Sequence, residues 1–464
     1  LTDTVAKRAP EAEQMVTQAA KGRALLGGTD SMRAAGETYL PKFESESVES
    51  YNARLNSSWL FNGFRKTVRD MSGRVFDKPV EIAEGAPAQI EGWCENVDLE
   101  GRDLSAFARD VFIAAMSGSG VSYIMVDAPA RGEDTTRDQA QREGLRPYFV
   151  HLKSEDILGW RTKLVGNAVK LAQIRIMETV REPDPEDEFA ESVVQQVRVI
   201  DAPDDGSVQV RLFRKAGKTN RWEQVEAYTT DAEEITVVPV YLTRTGFMTG
   251  EPPLEDLADV NVAHWQSQSD QRNILHFARV PILHGSGRDD DEPLVISAGM
   301  ATTSRDPQAK LEWVEHNGHA IKAGRDDLKD LEFQMETHGL QLLVARAQSA
   351  TGEALDAAKE TSQLAMMADA LKDALEQALI WMGDYGGTPA EGLAVTVNKD
   401  FGVSMLTPQE MQAMLMAVNT GNMSRETFLR EMARRGAIRA DIDPAEEADR
   451  IEAEGGGMTD GLGE

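Results

Sequence analysis

The sequence predicts an α+β fold. Three observations lead there: apolar residues recur at helical spacing over residues 51–116, segments of strand character follow one another over 169–243, and the proline pair in Glu251-Pro252-Pro253 marks a change of texture, after which long helical patterns dominate. The chain has 464 residues, 41% of them hydrophobic, enough for about three domains at roughly 150 residues each and for a sizeable core.

Taken in order, residues 1–30 mix charge with small residues (Ala9, Ala19, Ala20, Ala24) and end in Gly27-Gly28, which reads as a short helix and a loose end. From Tyr51 to Phe76, the residues Leu55, Trp59, Phe64, Val68 and Met71 fall three to five apart. They predict one amphipathic helix stopped at Lys78-Pro79, with Arg65, Lys66, Arg69 and Arg74 on its other face. A further helix is expected over Leu104 to Met116, ending at Ser117-Gly118-Ser119-Gly120, and the apolar run Val121 to Val126 reads as a buried strand. Strands are expected at 169–180, 193–200, 208–214, 222–229 and 235–243. The acidic, proline-containing loop Asp184 to Glu188 and the turn signals Asp204-Asp205-Gly206 and Ala216-Gly217 separate them, so residues 165–243 read as a β-meander.

Past the prolines a helix is expected from Leu254 to about Phe277. Leu254, Leu257, Val260 and Trp265 start an apolar stripe, but Gln266 to Asn273 are polar all round, so that part is expected to stand in water or against a neighbouring copy. Residues 280–318 read as loop and strand with an acidic tip, Arg288-Asp289-Asp290-Asp291-Glu292. In the next helix Ile321, Leu328, Leu331, Met335 and Leu342 fit heptad a and d positions, with Gly324 and His338 as its weak places; the chain goes out, folds a tip and returns. The polar loop Arg346 to Gly352 leads to a helix expected from Glu353 to about Asp384, some 46 Å long and closed by Gly386-Gly387 and Pro389. Its apolar face is Leu364, Met367, Leu371, Leu375, Leu379 and Met382. A strand over Leu393 to Val397, a helical region over Thr407 to Glu454 and a disordered Gly-rich acidic tail complete the reading.

The search for chemistry removes one class after another. Gly217-Lys218-Thr219 resembles the end of a phosphate-binding loop, but the earlier glycine would fall on position 212, which is Leu212. Ser117 to Gly120 lacks the dinucleotide-loop order. His316 and His319 flank Gly318 with no further ligand cluster nearby, no Gly-x-Ser-x-Gly elbow occurs, and the other histidines stand in no nucleophile pattern. The acidic runs at 289–292 and 326–327 read as solvated faces. Cys94, the single cysteine, excludes an internal disulfide and a Cys-based zinc site and suits synthesis in a reducing cytosol. No cofactor and no catalytic residue are expected. Lys7 and Arg8 are followed by no apolar segment, so no secretory signal is expected, and no window approaches the roughly 18 apolar residues of a membrane span.

Charge bears on partners. With 49 Lys and Arg against 78 Asp and Glu the formal net charge is −29, which opposes tight duplex binding and suits a surface past which DNA slides. Arg425, Arg430, Arg434, Arg435 and Arg439 form one basic concentration, read either as a helix end complementing its dipole or as a contact with packaged DNA.

The order of segments, an α/β body, a helix, a small acidic insert, a returning helix, a polar loop, a long helix and a helical C-terminus, resembles the wing, stem, clip, stem, tunnel loop and crown of tailed-bacteriophage portal proteins. Local wording agrees: Tyr39-Leu40-Pro41, Tyr51-Asn52-Ala53-Arg54-Leu55, Gly73 to Pro79, Pro253 to Asp259, Val280 to Leu283 and Ala357 to Ser362 are similar to parts of one portal group. The resemblance implies a portal-type fold: an N-terminal wing over 1–250, a first stem helix over 251–279, a clip over 280–318 and a second stem helix over 319–345. The tunnel loop, long helix and returning wing strand would occupy 346–405, and the crown and tail 406–464. It further implies a non-enzymatic homo-oligomeric ring, usually of twelve subunits, assembled in the host cytoplasm and lodged at one capsid vertex of the virion.

Its implied partners are the terminase, head-tail adaptor proteins, major capsid and scaffolding proteins, and double-stranded DNA passing through for packaging and ejection without sequence-specific binding; no membrane is involved. Carried over by position, Arg346, Gln348, Ser349 and Thr351 are candidates to face DNA, and Arg288, Asp289, Asp290, Asp291 and Glu292 are candidate docking charges, since rim charges act mainly on encounter and partner choice. The rival readings are another phage head-tail adaptor or scaffold, and an acidic cytosolic enzyme with an unrecognised site.

Overall fold

A computed structural model describes residues 4–128, 146–279, 282–286, 308, 310–314, 319–341, 362–399, 401, 408–434 and 450, apart from 185–186, 205, 217–220 and 231. The body is built in three layers. Helices cover one face of a three-stranded sheet, and a five-stranded sheet covers the other.

The helical layer begins with α1 (Pro10–Gly27) and α2 (Thr29–Ala35). The expected loose end is overturned: Ala12, Met15, Ala19 and Leu25 are buried, and a side chain at Gly22 would collide with the Ser117 carbonyl. Small residues here permit close approach of two backbones rather than mobility. The single helix expected over Tyr51 to Phe76 is also corrected. It is two helices, α3 (Val48–Ser57) and α4 (Gly63–Val75), because Ser58 ends the first, with its hydroxyl on the Arg54 carbonyl, and Asn62 caps the second by accepting from the Arg65 amide. Trp59, counted in the apolar stripe, is exposed, and Leu60 takes the core position.

After β1 (Glu81–Ile82) and α5 (Ala88–Cys94), α6 (Leu104–Ser117) is capped by Asp103 and leads through the glycine turn into β2 (Val121–Asp127), as expected. Gly120 has φ of +73° and its Cα faces the Glu251 carbonyl, so the turn demands glycine. β2 is buried on both faces between β3 (Tyr148–Lys153) and β9 (Val237–Tyr241), antiparallel to both.

The second sheet is a meander, β4 (Ile157–Val165), β5 (Ala168–Asp184), β6 (Asp187–Asp201), β7 (Val208–Lys215) and β8 (Trp222–Thr230), paired in sequence order. The meander therefore starts earlier than residue 165, and the last strand assigned to it, near 237–241, leaves to close the other sheet. Pro239 lies within that strand, and a proline, lacking an N–H, is tolerated at the sheet edge that β9 forms. Between the sheets pack Tyr123, Met125, Ile174, Ile176, Val210 and Leu212, and the Tyr123 hydroxyl donates to the Met248 carbonyl at 2.7 Å. Beyond the pairs Ile157↔Ile176 and Gln196↔Arg214, β5 and β6 leave their neighbours and run on alone as a two-stranded ribbon to the pair Asp184↔Asp187.

After the short hairpin β10 (Arg244–Gly246) and β11 (Thr249–Gly250), α7 (Glu255–Ala278) leaves the body, the strands β12 (Ile282–Ser286) and β13 (Lys310–Val314) pair, and α8 (His319–Gln341) returns. α9 (Gln363–Gly386) then re-enters the helical layer, burying Leu364, Met367, Leu371, Leu375, Leu379 and Met382 as the spacing predicts. Its start is later than the expected Glu353: Ser362, in extended conformation, accepts from the Ala365 amide, so the helix begins at Gln363 and 24 residues span about 36 Å. Gly387, in the left-handed conformation, closes it. β14 (Val395–Thr396) pairs with β1, a shorter strand than the expected Leu393 to Val397. Within the expected C-terminal helical region the described residues form α10 (Pro408–Asn419) and α11 (Arg425–Arg434), joined by a turn containing Gly421, φ +75°.

Candidate functional site

The geometry that bears on function is the excursion from Glu255 to Gln341 and the seam that roots it. α7 and α8 run antiparallel: Gln271 donates to the Ile321 carbonyl at 2.8 Å, the Ser267 hydroxyl to Asp327 at 2.7 Å, and His264 Nε2 lies 3.4 Å from a Glu332 carboxylate oxygen. Leu328 and Met335 are the buried heptad positions of α8, whereas Ile321 and Leu331 are half-covered. Gly324, expected to be a weak place, is a contact: its bare Cα lets the Gln271 side chain lie against α8.

The polar stretch of α7 gives the main correction. It is not turned outward to water or to another copy along its whole surface; Asn261, His264, Ser269 and Gln271 are buried inside the chain. Asn261 accepts from the Phe64 amide and donates to the Phe61 carbonyl, bridging the break before α4. Gln266 donates to the Tyr39 carbonyl. The Ser58 hydroxyl meets Ser269 at 2.9 Å, and Arg54, only 2% exposed, forks onto both carboxylate oxygens of Glu46 at 2.9 Å and donates to the Pro41 carbonyl at 2.8 Å. Arg54 also lies 3.7 Å from Asp270. Its hydrogen bonds hold the Glu46 carboxyl below the usual range. Burial pushes the His264 imidazole down and Glu332 opposes it, and the ring lies tilted against Phe61 with centroids 5.2 Å apart. The sequence signal was present: polar residues on a helix that also carries Trp265 can mark a buried hydrogen-bonded seam as well as a wet face.

A groove lies on the far face of the meander. It holds about 450 Å3 between Trp160, Phe213, Val199 and Val5, with Arg161, Gln173, Arg175 and Arg211 among its lining. Arg211 pairs with Asp201 at 2.7 Å. Arg175 donates only to backbone carbonyls, those of Thr4, Val5, Lys7 and Leu158, and Arg161 has no ion pair among the described residues. No sequence signal marks this groove, because its parts come from four strands and the N-terminal segment.

Most of the residues singled out by sequence fall outside the described ones. Arg346, Gln348, Ser349 and Thr351, and likewise Arg288, Asp289, Asp290, Asp291 and Glu292, lie outside the described residues. Arg425, Arg430 and Arg434 sit on α11, while Arg435 and Arg439 fall outside. Among the described residues no group of three or more His, Cys, Asp or Glu could hold a metal ion, and no helix is long and apolar enough to cross a membrane.

A family model described as a domain of unknown function (DUF4055) matches residues 253–386, the stretch from the root of α7 to the end of α9. No curated protein matches the chain. Among solved structures, a chain from the neck of an empty GTA particle computed with C6 symmetry is similar, with 9% identity and a TM-score of 0.41 over 80% of this chain and 89% of that one. A chain from the virion of a native gene transfer agent (GTA) particle matches with 9% identity and a TM-score of 0.39, over 77% and 85% of the two chains. One from the neck of a native GTA particle computed with C12 symmetry matches with 12% identity and a TM-score of 0.39, over 78% and 87%.

Proposed function

We propose that the chain is a non-enzymatic structural subunit of a phage-type portal: a homo-oligomeric ring, of twelve copies in the usual case, at a capsid vertex, through which double-stranded DNA passes. The observation that carries this reading is the excursion itself. A helix leaves an α/β body, a small β-ribbon forms, an antiparallel helix returns, and a capped helix of 24 residues re-enters the core of the same body. That is the stem, clip, stem and tunnel-helix order to which the sequence is similar. The buried seam around Arg54 and Ser269 supports it mechanically, since a projecting helix pair needs a rigid root. The acid excess of the chain suits a passage to which phosphate does not adhere. In this reading the clip over 280–318 meets the terminase and later the head-tail adaptor proteins.

Electron microscopy of the purified chain tests it. The expected result is a ring with rotational symmetry and a central bore wide enough for a duplex. Compact monomers alone under assembly-permissive conditions, or rings with no bore, would overturn the proposal.

A further inference from the structure

Among the described residues no third strand pairs with the outer part of the β5–β6 ribbon. From Thr179↔Gln195 to Pro183↔Glu191 neither outer edge joins a further strand among the described residues, and an isolated two-stranded ribbon is at best marginally stable in water. Its composition does not fit a free surface arm. Phe189 is 90% exposed and Val193 64%. Side chains alternate along a strand, so Val193 lies on the same face of β6 as Val197 and Val199, the face that carries the groove, while Phe189 stands at the tip beyond the last regular pair, Pro183↔Glu191. At the tip, Asp187 accepts from the Phe189 amide and stands beside Glu188, so one ring and two carboxylates are offered together.

The groove is the complement: Phe213, the aliphatic Val5 and Val199, and the guanidinium groups of Arg161 and Arg175 with no acid paired to them among the described residues, in a chain of net charge −29. The ribbon cannot reach its own groove. Arg161 faces Gln173 in the β4–β5 register, and the eleven residues from Gln173 to Asp184 carry the tip about 36 Å away along a straight strand. The groove is lined by arginines and the ribbon tip carries carboxylates, so the charge-complementary occupant is the ribbon of a second copy.

We propose that the ribbon of one subunit docks in the groove of the next, with Phe189 and Val193 against Phe213 and Val199 and with Asp187 and Glu188 against Arg161 and Arg175. Two different surfaces meet, so the contact is heterologous and propagates head to tail, which closes into a ring when the rotation allows. The inference rests on the ring reading and adds the contact that joins neighbours.

Disulfide trapping tests it on the full chain carrying Arg161→Cys and Glu188→Cys together, with oxidised glutathione as oxidant; Cys94 is buried and does not compete. The expected result is a ladder of linked multimers extending beyond dimers, whereas either substitution alone stops at dimers. Adding Phe189→Ser should cut ladder yield about tenfold, a loss of about 1.4 kcal/mol in docking. Rings seen by microscopy with no ladder, or with a ladder indifferent to Phe189→Ser, overturn the docking while leaving the ring reading in place. Absence of both rings and ladder overturns the two together.

Discussion

Replacing Arg54 by alanine tests how firmly the projecting helix pair is rooted. The Arg54 and Glu46 side chains are 2% and 5% exposed, joined by two hydrogen bonds of 2.9 Å, so Arg54→Ala leaves a carboxylate buried without its cation. Breaking such a pair from one side costs about 3–5 kcal/mol. The lower end applies, because the cover over Arg54 is the Phe43 ring at 4.2 Å, itself nearly half exposed, and water can reach Glu46 after a small movement. A loss of about 3 kcal/mol is a hundredfold or so in the local opening equilibrium. Hydrogen exchange should therefore accelerate by that factor for amides of α3 and of residues 266–273, while α6 stays unchanged. The pH dependence has a definite sign. The Glu46 carboxyl is lowered from its ordinary value of 4.5 by the Arg54 hydrogen bonds, so the pair contributes fully above that value and its contribution fades as pH falls through the lowered one. Acceleration under about threefold in Arg54→Ala would refute the rooting argument.

Two further outcomes follow from the body. Gly120→Ala should lower the thermal midpoint much more than Gly85→Ala: both have positive φ, worth about 1–2 kcal/mol each, but only at Gly120 does the added carbon strike a carbonyl, and equal shifts would refute the steric account. The Cys94 thiol is pushed up to about 12 by burial, so a thiol reagent at pH 8 should label it only after denaturation. Stoichiometric labelling of the native chain at a free-thiol rate would contradict that.

Much of this architecture is legible in the sequence where one physical cause acts locally. The run Val121 to Val126 is apolar except for Ser122, whose hydroxyl donates to the Leu152 carbonyl, because β2 is covered on both faces, and the 3.6-residue stripe of Leu371 to Met382 is the buried face of α9. What is not legible depends on pairing over long distances. Val237 to Tyr241 has the same strand character as the meander before it, and only the unfilled edge of β2, more than 100 residues earlier, decides which sheet it joins. The α7 seam fails for the same reason. Ser269 and Gln271 look like surface residues until Arg54, Ser58 and the Ile321 carbonyl supply their partners. The arginine groove has no sequence signature because it collects Arg161, Arg175 and Arg211 from three strands.

The return of α9 to the helical layer has a consequence for biogenesis. Phe64, Phe107 and Phe112 share one core with Leu371, Leu375 and Met382, and β1 waits for β14. At roughly 5–20 residues per second, the ribosome needs about 15–60 s to make the intervening stretch. For that interval the nascent chain shows an uncovered apolar face, while the meander, whose pairings are all between adjacent strands, can already close. Chaperone demand during synthesis should therefore centre on the helical layer, and chains ended before Gln363 should aggregate through it.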